Sequence, residues 1–467
     1  MFLGKTKRIH FIGIGGSGMS GIAEVLMNMG YQVTGSDLGK TGVTDYLERA
    51  GAEISYRHQP ENVRDAQVVV VSNAVKADNA EWVSARERMI PVISRAEMLA
   101  ELMRMKYGIA IAGVHGKTTT TSLVATVLGG GKLDPTVVIG GRLKSIGSHA
   151  KLGQSEFLVA EADESDGSFL RLSPAIAVVT TLGEEHLDYY KTFDRMKEAF
   201  LTFLNRLPFY GTSVLCLDEP HIQSLIPKLE KRYITYGLTS QADFGAKNIE
   251  NDGMKTRFDV YFRNQKLGRI VSNIPGRHNV CNTLAAVAVG MELELSFETI
   301  KEALTRFPGV HRRFEVNAQS ESLVLVDDYG HHPVEIQATL KTAKEVWPNR
   351  RLVVVFQPHR YTRTQLLMEK FWSAFNEADA LIVTRIFPAG EDPIEGVDAR
   401  RIAEGVKRCG HKNVRYMETS KEIFAHLRGT VQPRDVVMTL GAGNIWKLGD
   451  DLLSLLPASL LNSNQPG

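Results

Sequence analysis

Apolar and polar positions along this chain switch repeatedly between short apolar runs and longer helical stripes, the mark of strands alternating with helices. The first such unit is an apolar strand from Ile9 to Ile14, a glycine-rich turn and a helix over about Gly21–Met29. Gly30 then acts as a stop, and a second strand ends at Asp37. A wholly apolar run at Val68–Val71, a helical stretch at Ala80–Met89 and a short strand at Pro91–Ser94 continue the alternation to about Lys106. Uninterrupted apolar strands imply a parallel sheet covered on both faces.

A second series opens with the strand Gly108–Ala112, a tight turn and a helix beginning among Thr118 to Thr121. Further strands are predicted at Phe157–Ala160, Ala175–Thr180 and Ser213–Leu217. Between Asp243 and Asn273 the pattern becomes short and alternating, broken by Asn-Asp-Gly and Arg-Asn-Gln turns, which predicts antiparallel pairing. Helices return at Asn279–Met291 and Phe297–Arg306. The turn Pro308-Gly309 separates a third series, with strands at Leu323–Val326, Leu352–Phe356 and Ala380–Val383 and a frayed tail at Asn462–Gly467. The expectation is three α/β domains in series: residues 1–106, 107–308 and 309–467.

Composition narrows the function classes. Fifty-five basic against 53 acidic side chains leave a net charge of +2, too little for a broad field that holds nucleic acid or an anionic membrane. Any anionic ligand must be caught locally. The three cysteines, Cys216, Cys281 and Cys409, lack the spacing of a zinc site or disulfide framework and suit a reducing cytoplasm. No signal-peptide stretch and no run of about 18 apolar residues is present, so a cytoplasmic location without membrane insertion is expected.

Two glycine-rich turns point to nucleotides. Gly13, Gly15 and Gly18 match G-x-G-x-x-G between a strand and a helix, where backbone amides of Gly15, Gly16, Ser17, Gly18 and Met19 can face a diphosphate. Asp37 follows at the spacing where a carboxylate bonds a ribose hydroxyl, which taken alone suggests NAD. The motif does not say which nucleotide binds. The turn Gly113-Val114-His115-Gly116-Lys117-Thr118 has small residues that let amides face a triphosphate, a lysine for its outer phosphates and a hydroxyl for Mg2+. It departs from the strict phosphate-loop pattern, because Ile111 stands five before Gly116. Four threonines at the helix start are expected to cap amides with their hydroxyls.

Carboxylates gather beyond the next strand, at Glu161, Asp163, Glu164 and Asp166, where a cation would relieve their repulsion. His186, in Gly183-Glu184-Glu185-His186-Leu187-Asp188, can reach the same sheet edge as a second metal ligand. His331 and His332, behind Asp327, Asp328 and Tyr329, read out of context as a metal site, though adjacent histidines rarely both ligate one ion. His359, Arg360 and Arg363 end another buried strand, and the arginines suit carboxylate or phosphate.

Taken in order, the Lys117 turn, the Glu161 cluster, His186-Leu187-Asp188, the segment Gly276–Asn282 and His311-Arg312-Arg313-Phe314 resemble the Mur ligase family across essentially the whole chain. The segments Ile12–Met19, Asp327–Pro333 and Gln357–Arg363 resemble members that act on UDP-N-acetylmuramate. The resemblance implies a Rossmann-like N-terminal domain for the UDP part of the substrate, a central phosphate-loop-type ATPase domain with a mainly parallel sheet, and a C-terminal Rossmann-like α/β domain for the amino acid. It implies ATP and Mg2+ as cofactors, and UDP-N-acetylmuramate and L-alanine as substrates joined through an acyl phosphate. A monomer or weak homodimer is expected.

Carried over position by position, the resemblance gives ATP contacts to Gly113, His115, Gly116, Lys117, Thr118, Thr119, His278, Asn279, Asn282, Arg313 and Asp328. Thr118, Glu161 and His186 match metal ligands. Gly15, Gly16, Ser17, Gly18, Met19, Asp37, Ser72 and Asn73 match the UDP site. His332, His359, Arg360 and Arg363 would face the reacting ends, and Lys117, His186, Arg313, Asp328 and His332 form the expected catalytic set. Three alternatives remain: a ligase that returns murein tripeptide to UDP-N-acetylmuramate, a dehydrogenase that leaves the Lys117 turn without a role, and a nucleotide-dependent regulatory switch.

Overall fold

A computed structural model describes residues 3–72, 74–140 and 150–455, without the side chains of Ser17, Asp450, Ser454 and Leu455. Asn73 and the expected tail Asn462–Gly467 lie outside the described residues. Valine- and isoleucine-rich segments build three sheets. The first comprises β1 (Arg8–Ile12), β2 (Gln32–Ser36), β3 (Glu53–Ser55), β4 (Val68–Val71) and β5 (Val92–Ser94) in the order β3-β2-β1-β4-β5. All four pairings are parallel, so every connection crosses over, and the order reverses beside β1. That switch point opens a crevice at the strands' C-terminal ends.

The second sheet contains β6 (Tyr107–Ala112), β7 (Thr136–Val138), β8 (Ala150–Lys151), β9 (Phe157–Glu161), β10 (Ile176–Val179), β11 (Thr212–Cys216), β12 (Tyr233–Gly237), β13 (Phe244–Asp252), β14 (Lys255–Phe262) and β15 (Gln265–Ser272). Their order is β15-β14-β13-β12-β11-β10-β6-β9-β7-β8. From β7 to β13 the pairing is parallel, with β8 antiparallel at the edge. The alternating stretch forms the meander β13-β14-β15, and Arg263 and Asn264, both at positive φ, make its second tight turn.

The third sheet contains β16 (Glu315–Gln319), β17 (Leu323–Asp328), β18 (Leu352–Phe356), β19 (Ala380–Val383), β20 (Val414–Tyr416) and β21 (Asp435–Leu440), in the order β16-β17-β21-β18-β19-β20. Only β16 pairs antiparallel. Apolar clusters cover both faces, one around Phe356, Phe371 and Phe375 and the other around Val355, Ile423 and Leu427.

The chain divides into two compact units. Met1–Ile249, Arg257–Ser272 and Asn279–Val310 form one, and Glu250–Thr256, Asn273–His278 and His311–Gly467 form the other. Among the described residues, no helix is long and apolar enough to cross a membrane.

Candidate active site

In the first unit, the turn after β1 lies beside the ends of β2 and β4. Asp37 accepts hydrogen bonds from the Gly15 amide and from Leu38 N, each at 2.8 Å. A Cβ on Gly15 would come within 2.9 Å of the Asp37 carboxylate, and one on Gly13 within 3.1 Å of Ser72, so the turn is built for close backbone approach. Gly15, Gly16, Gly18, Asp37 and Ser72 therefore share one edge. The Met19 side chain does not: it is buried, and its amide bonds Gly16 O, which puts it beneath the turn. The helix starts at Ser17, four residues before its expected start, because Gly16 already has the extended conformation of a cap.

Arg95 is a neighbour the sequence reading missed. A Cβ on Gly18 would lie 2.8 Å from its guanidinium, and the same group bonds Asp163 at 2.9 Å. One arginine thus touches the first glycine turn and the carboxylate cluster of the second sheet. The only signal in the sequence is its place just past β5, at a helix start.

The second glycine turn connects β6 to the helix Lys117–Gly130. Gly113 and Gly116 have φ of 124° and 82°. A Cβ on Gly113 would sit 2.3 Å from Thr180 Oγ1, and one on Gly116 2.7 Å from Asn282 Oδ1. No larger residue fits either place. The expected threonine caps are not formed. The helix begins at Lys117, and its cap is Gly116, which has no side chain to close the N-terminal amides. Thr118 to Thr121 are instead buried, with Thr120 Oγ1 donating to Asn282 Oδ1 at 3.2 Å. Open helix amides beside a glycine turn form an anion cradle. His115 N is held by Thr181 Oγ1 at 2.8 Å, which fixes the loop.

Lys117 Nζ donates to both Glu164 oxygens, at 2.7 and 2.9 Å, and to Gly113 O at 2.6 Å. Burial opposes its charge, but Glu164, with Asp163 and Glu161 behind it, outweighs burial and raises the Lys117 pKa. Glu164 shows the reciprocal effect: against burial, Lys117 and a bond from His186 keep it below the usual carboxylate range. His186, at positive φ ahead of Leu187–Tyr190, places Nε2 3.5 Å from Glu164. Glu161 ends β9, paired with Ile111 one residue before Ala112. Carboxylate oxygens, an imidazole and the Thr118 hydroxyl around a phosphate cradle fit a hard divalent cation. Farther along, Asn279 and Asn282 are buried and joined by a 3.1 Å side-chain bond, so both are held against the loop helix through Thr120.

The second unit gathers the remaining candidates around the ends of β17 and β18. Asp328 accepts from Phe314 N at 2.7 Å and Gly330 N at 2.8 Å, and burial pushes its pKa up to about 6 against the pull of Arg313. Arg313 packs over the Tyr329 ring at 4.9 Å, between Arg312 and Phe314, both at positive φ. Arg312 bonds Asp327 at 2.9 Å and the Gly441 and Gly443 carbonyls, so it organises the sheet end. His332 caps the helix Pro333–Val346, its Nδ1 accepting from Val334 N at 3.4 Å. His359 stacks on Phe387 and accepts from Arg363 at 3.2 Å. Burial brings His359 down to about 4 and His331 to about 3, so both rings are neutral. Arg360 lies 3.9 Å from Glu391.

A phosphate cradle with a clamped lysine, carboxylates beside it and doubly wound sheets on either side in the sequence define a nucleotide-dependent enzyme of the ligase type. The chain matches the Mur ligase family catalytic domain over residues 8–107, the Mur ligase middle domain over 111–290 and the Mur ligase glutamate ligase domain over 312–443. It belongs to the Mur ligase family.

More particularly, it is 57% identical over 457 residues to the UDP-N-acetylmuramate–L-alanine ligase of Geotalea uraniireducens, spanning 98% of this chain and 100% of that protein. It is likewise 57% identical over 453 residues to the Syntrophotalea carbinolica protein of that name, spanning 97% and 99%. Its fold superposes on the crystal structure of the UDP-N-acetylmuramate–alanine ligase of Thermotoga maritima with a TM-score of 0.83 at 30% identity, over 97% of this chain and 99% of that one.

Proposed function

We propose that this chain uses ATP and Mg2+ to join L-alanine to the lactyl carboxylate of UDP-N-acetylmuramate, releasing UDP-N-acetylmuramoyl-L-alanine, ADP and phosphate. The observation that carries the reading is Lys117 in its glycine cradle, held by the buried Glu164 with its charge secured. The identity to ligases of that name over nearly the whole chain supports the choice of substrates.

In this reading residues 1–106 bind the UDP portion, 107–308 bind ATP, and 309–467 bind the amino acid. Changes of sheet between β5 and β6 and between β15 and β16 support these boundaries. Gly15, Gly16, Ser17, Gly18, Asp37, Ser72 and Asn73 hold the UDP moiety, with Met19 supporting the turn from below.

A carboxylate does not acylate an amine at neutral pH, because its leaving group is poor. Phosphorylation of the lactyl carboxylate solves this. Lys117 neutralises charge building on the transferred phosphoryl group, while the amides opening at Gly116 hold the phosphates. Thr118, Glu161 and His186 would hold Mg2+, which when bound neutralises further phosphate charge. Asn279, Asn282, His278, Arg313 and Asp328 position the nucleotide. The Val334 amide on Nδ1 leaves the His332 proton on Nε2, which suits this ring to donate to a carboxylate or carbonyl. Arg360, Arg363 and His359 suit the carboxylate of the incoming alanine. The enzyme works in the cytoplasm on small molecules as a monomer or weak homodimer.

The test is phosphate release from ATP with Mg2+ and UDP-N-acetylmuramate, adding L-alanine, D-alanine, L-glutamate or murein tripeptide in parallel, with mass detection of product. Condensed product only with L-alanine is expected. Turnover with tripeptide in its place would overturn the choice of amino acid, and silence throughout would overturn the ligase reading.

A further inference from the structure

Two of the three cysteines, distant in sequence, meet in the first unit on the side of the second sheet that carries the Lys117 loop. Cys216 is the last residue of β11, buried at 6% exposure, one residue past the Val179–Leu215 register pair of β10 and β11. Cys281 lies on the second turn of the helix Arg277–Glu292, partly exposed. Cys281 Sγ reaches Asp218 Oδ2, two residues past Cys216, at 3.6 Å, and the two thiols are neighbours that act on each other's titration. The Asp218 carboxylate is itself fixed by the amides of Leu238 and Thr239, at 2.6 and 2.8 Å. The neighbouring Cys281 holds the Cys216 thiol below the usual range, while the neighbouring Cys216, burial and Asp218 push Cys281 up. Neither sulfur has a part in the proposed ligation chemistry.

We propose that Cys216 and Cys281 are a peroxide-sensitive dithiol that closes into a reversible disulfide, tying the β11 end to the helix that carries Asn282. One sulfur, as thiolate, attacks a peroxide oxygen, becoming a sulfenic acid as the O–O bond breaks and water leaves. The second sulfur then displaces water from that sulfenic acid. Two thiols and one hydrogen peroxide give one disulfide and two waters. A sulfur–sulfur bond of about 2.05 Å is far shorter than a thiol contact, so the helix and the strand end must draw together. Asn282, the next residue, has its Oδ1 on Thr120 and against Gly116, so the shift is delivered to the phosphate loop. A displacement of about 1 Å in such a site costs up to about 100-fold in rate.

The effect on turnover rests on the nucleotide-site reading above, whereas the disulfide itself does not. The full chain, treated with hydrogen peroxide and then alkylated, is digested and mapped by mass spectrometry, with turnover and the KM for ATP measured on the same samples. The expected result is a Cys216–Cys281 peptide pair lighter by two hydrogens, with Cys409, exposed after the helix Ala399–Arg408, still alkylated. Turnover should fall about tenfold or more with a raised KM for ATP and return with dithiothreitol. Cys281→Ser, which keeps a donor for Asp218, and Cys216→Ala should turn over normally and ignore peroxide. Alkylation of both cysteines with no linked peptide overturns the proposal, as does a linked peptide that leaves turnover and KM unchanged. A chain inactive before oxidation would count against the ligase reading alone, because the peptide map still decides the disulfide.

Discussion

Lys117, partly exposed, and the fully buried Glu164 form a pair in which one ammonium meets both carboxylate oxygens, at 2.7 and 2.9 Å. In the proposed reaction a triphosphate would need this lysine, so an incoming phosphate would compete with Glu164 for a charge already aimed. Removing one partner of a buried pair leaves the other uncompensated, at about 3 to 5 kcal/mol. Both members therefore matter to the fold.

Replacing Lys117 by Met keeps the packing of the stem and removes the charge. Turnover should fall by about 1,000-fold or more, the scale seen when a phosphoryl-stabilising cation is lost. Affinity for UDP-N-acetylmuramate, measured calorimetrically without ATP, should stay within about twofold, since a local charge at the loop has no uniform binding role there. Near-normal turnover in a folded variant would remove Lys117 from the mechanism.

Gly116→Ala meets two obstacles together, a φ of 82° and an Asn282 oxygen 2.7 Å from the new methyl group. ATP affinity should drop at least about tenfold, because the cradle must open to admit the methyl. Shortening the neighbour with Asn282→Ala in the same chain relieves the clash, and because Asn282 is assigned to the nucleotide the double variant is read against Asn282→Ala alone. Partial recovery of the KM for ATP in the double variant would separate crowding from backbone strain; full recovery would mean that the positive φ matters little.

The two glycine turns, the apolar strands and the order of the motifs were legible because each rests on local spacing. What joins distant segments was not. Strand β21 escaped the apolar-run reading since Asp435 and Thr439 interrupt it, yet it lies between β17 and β18, with Asp435 paired to Arg351 at 2.6 Å and Thr439 bonded to Asp327 at 2.6 Å. A buried polar residue with a partner looks like a loop residue until the partner is known. For the same reason, spacing could not tell which carboxylate after β9 meets Lys117, nor that Arg95 serves two loops. The threonines after Lys117 misled in the opposite sense: their type suits caps, but Gly116 starts the helix and the hydroxyls turn inward.

Asp37 and Arg95 offer a pair of variants with opposite signatures. Asp37 is tied to the first glycine turn through Gly15, so Asp37→Ala should raise the KM for UDP-N-acetylmuramate about tenfold while leaving that for ATP unchanged. Arg95 touches Gly18 and also Asp163, so Arg95→Met should disturb both substrates. Steady-state kinetics with each substrate varied in turn will show whether Arg95 couples the two loops; a change confined to one KM would argue that it serves only one of them.

Acid should weaken the second unit through its histidines. Burial holds His359 at about 4 and His331 at about 3, whereas each titrates near 6.5 in an unfolded chain. Between those values the unfolded chain binds protons that the folded one refuses, so stability falls as pH drops from about 6.5 toward 4. Asp328 runs the other way. Burial raises its pKa to about 6, so the folded state keeps a proton the unfolded chain releases, and Asp327 shifts in the same direction. Two histidines against Asp328 leave a net slope of at most about one proton, about 1.4 kcal/mol per pH unit. Denaturant unfolding between about pH 6.5 and pH 4.5 measures that slope directly. His359→Phe, which keeps the stack on Phe387, should make it shallower by about one proton. An unchanged slope in that variant would mean that His359 is protonated in the folded state, and its expected role as an acceptor for Arg363 would fall with it.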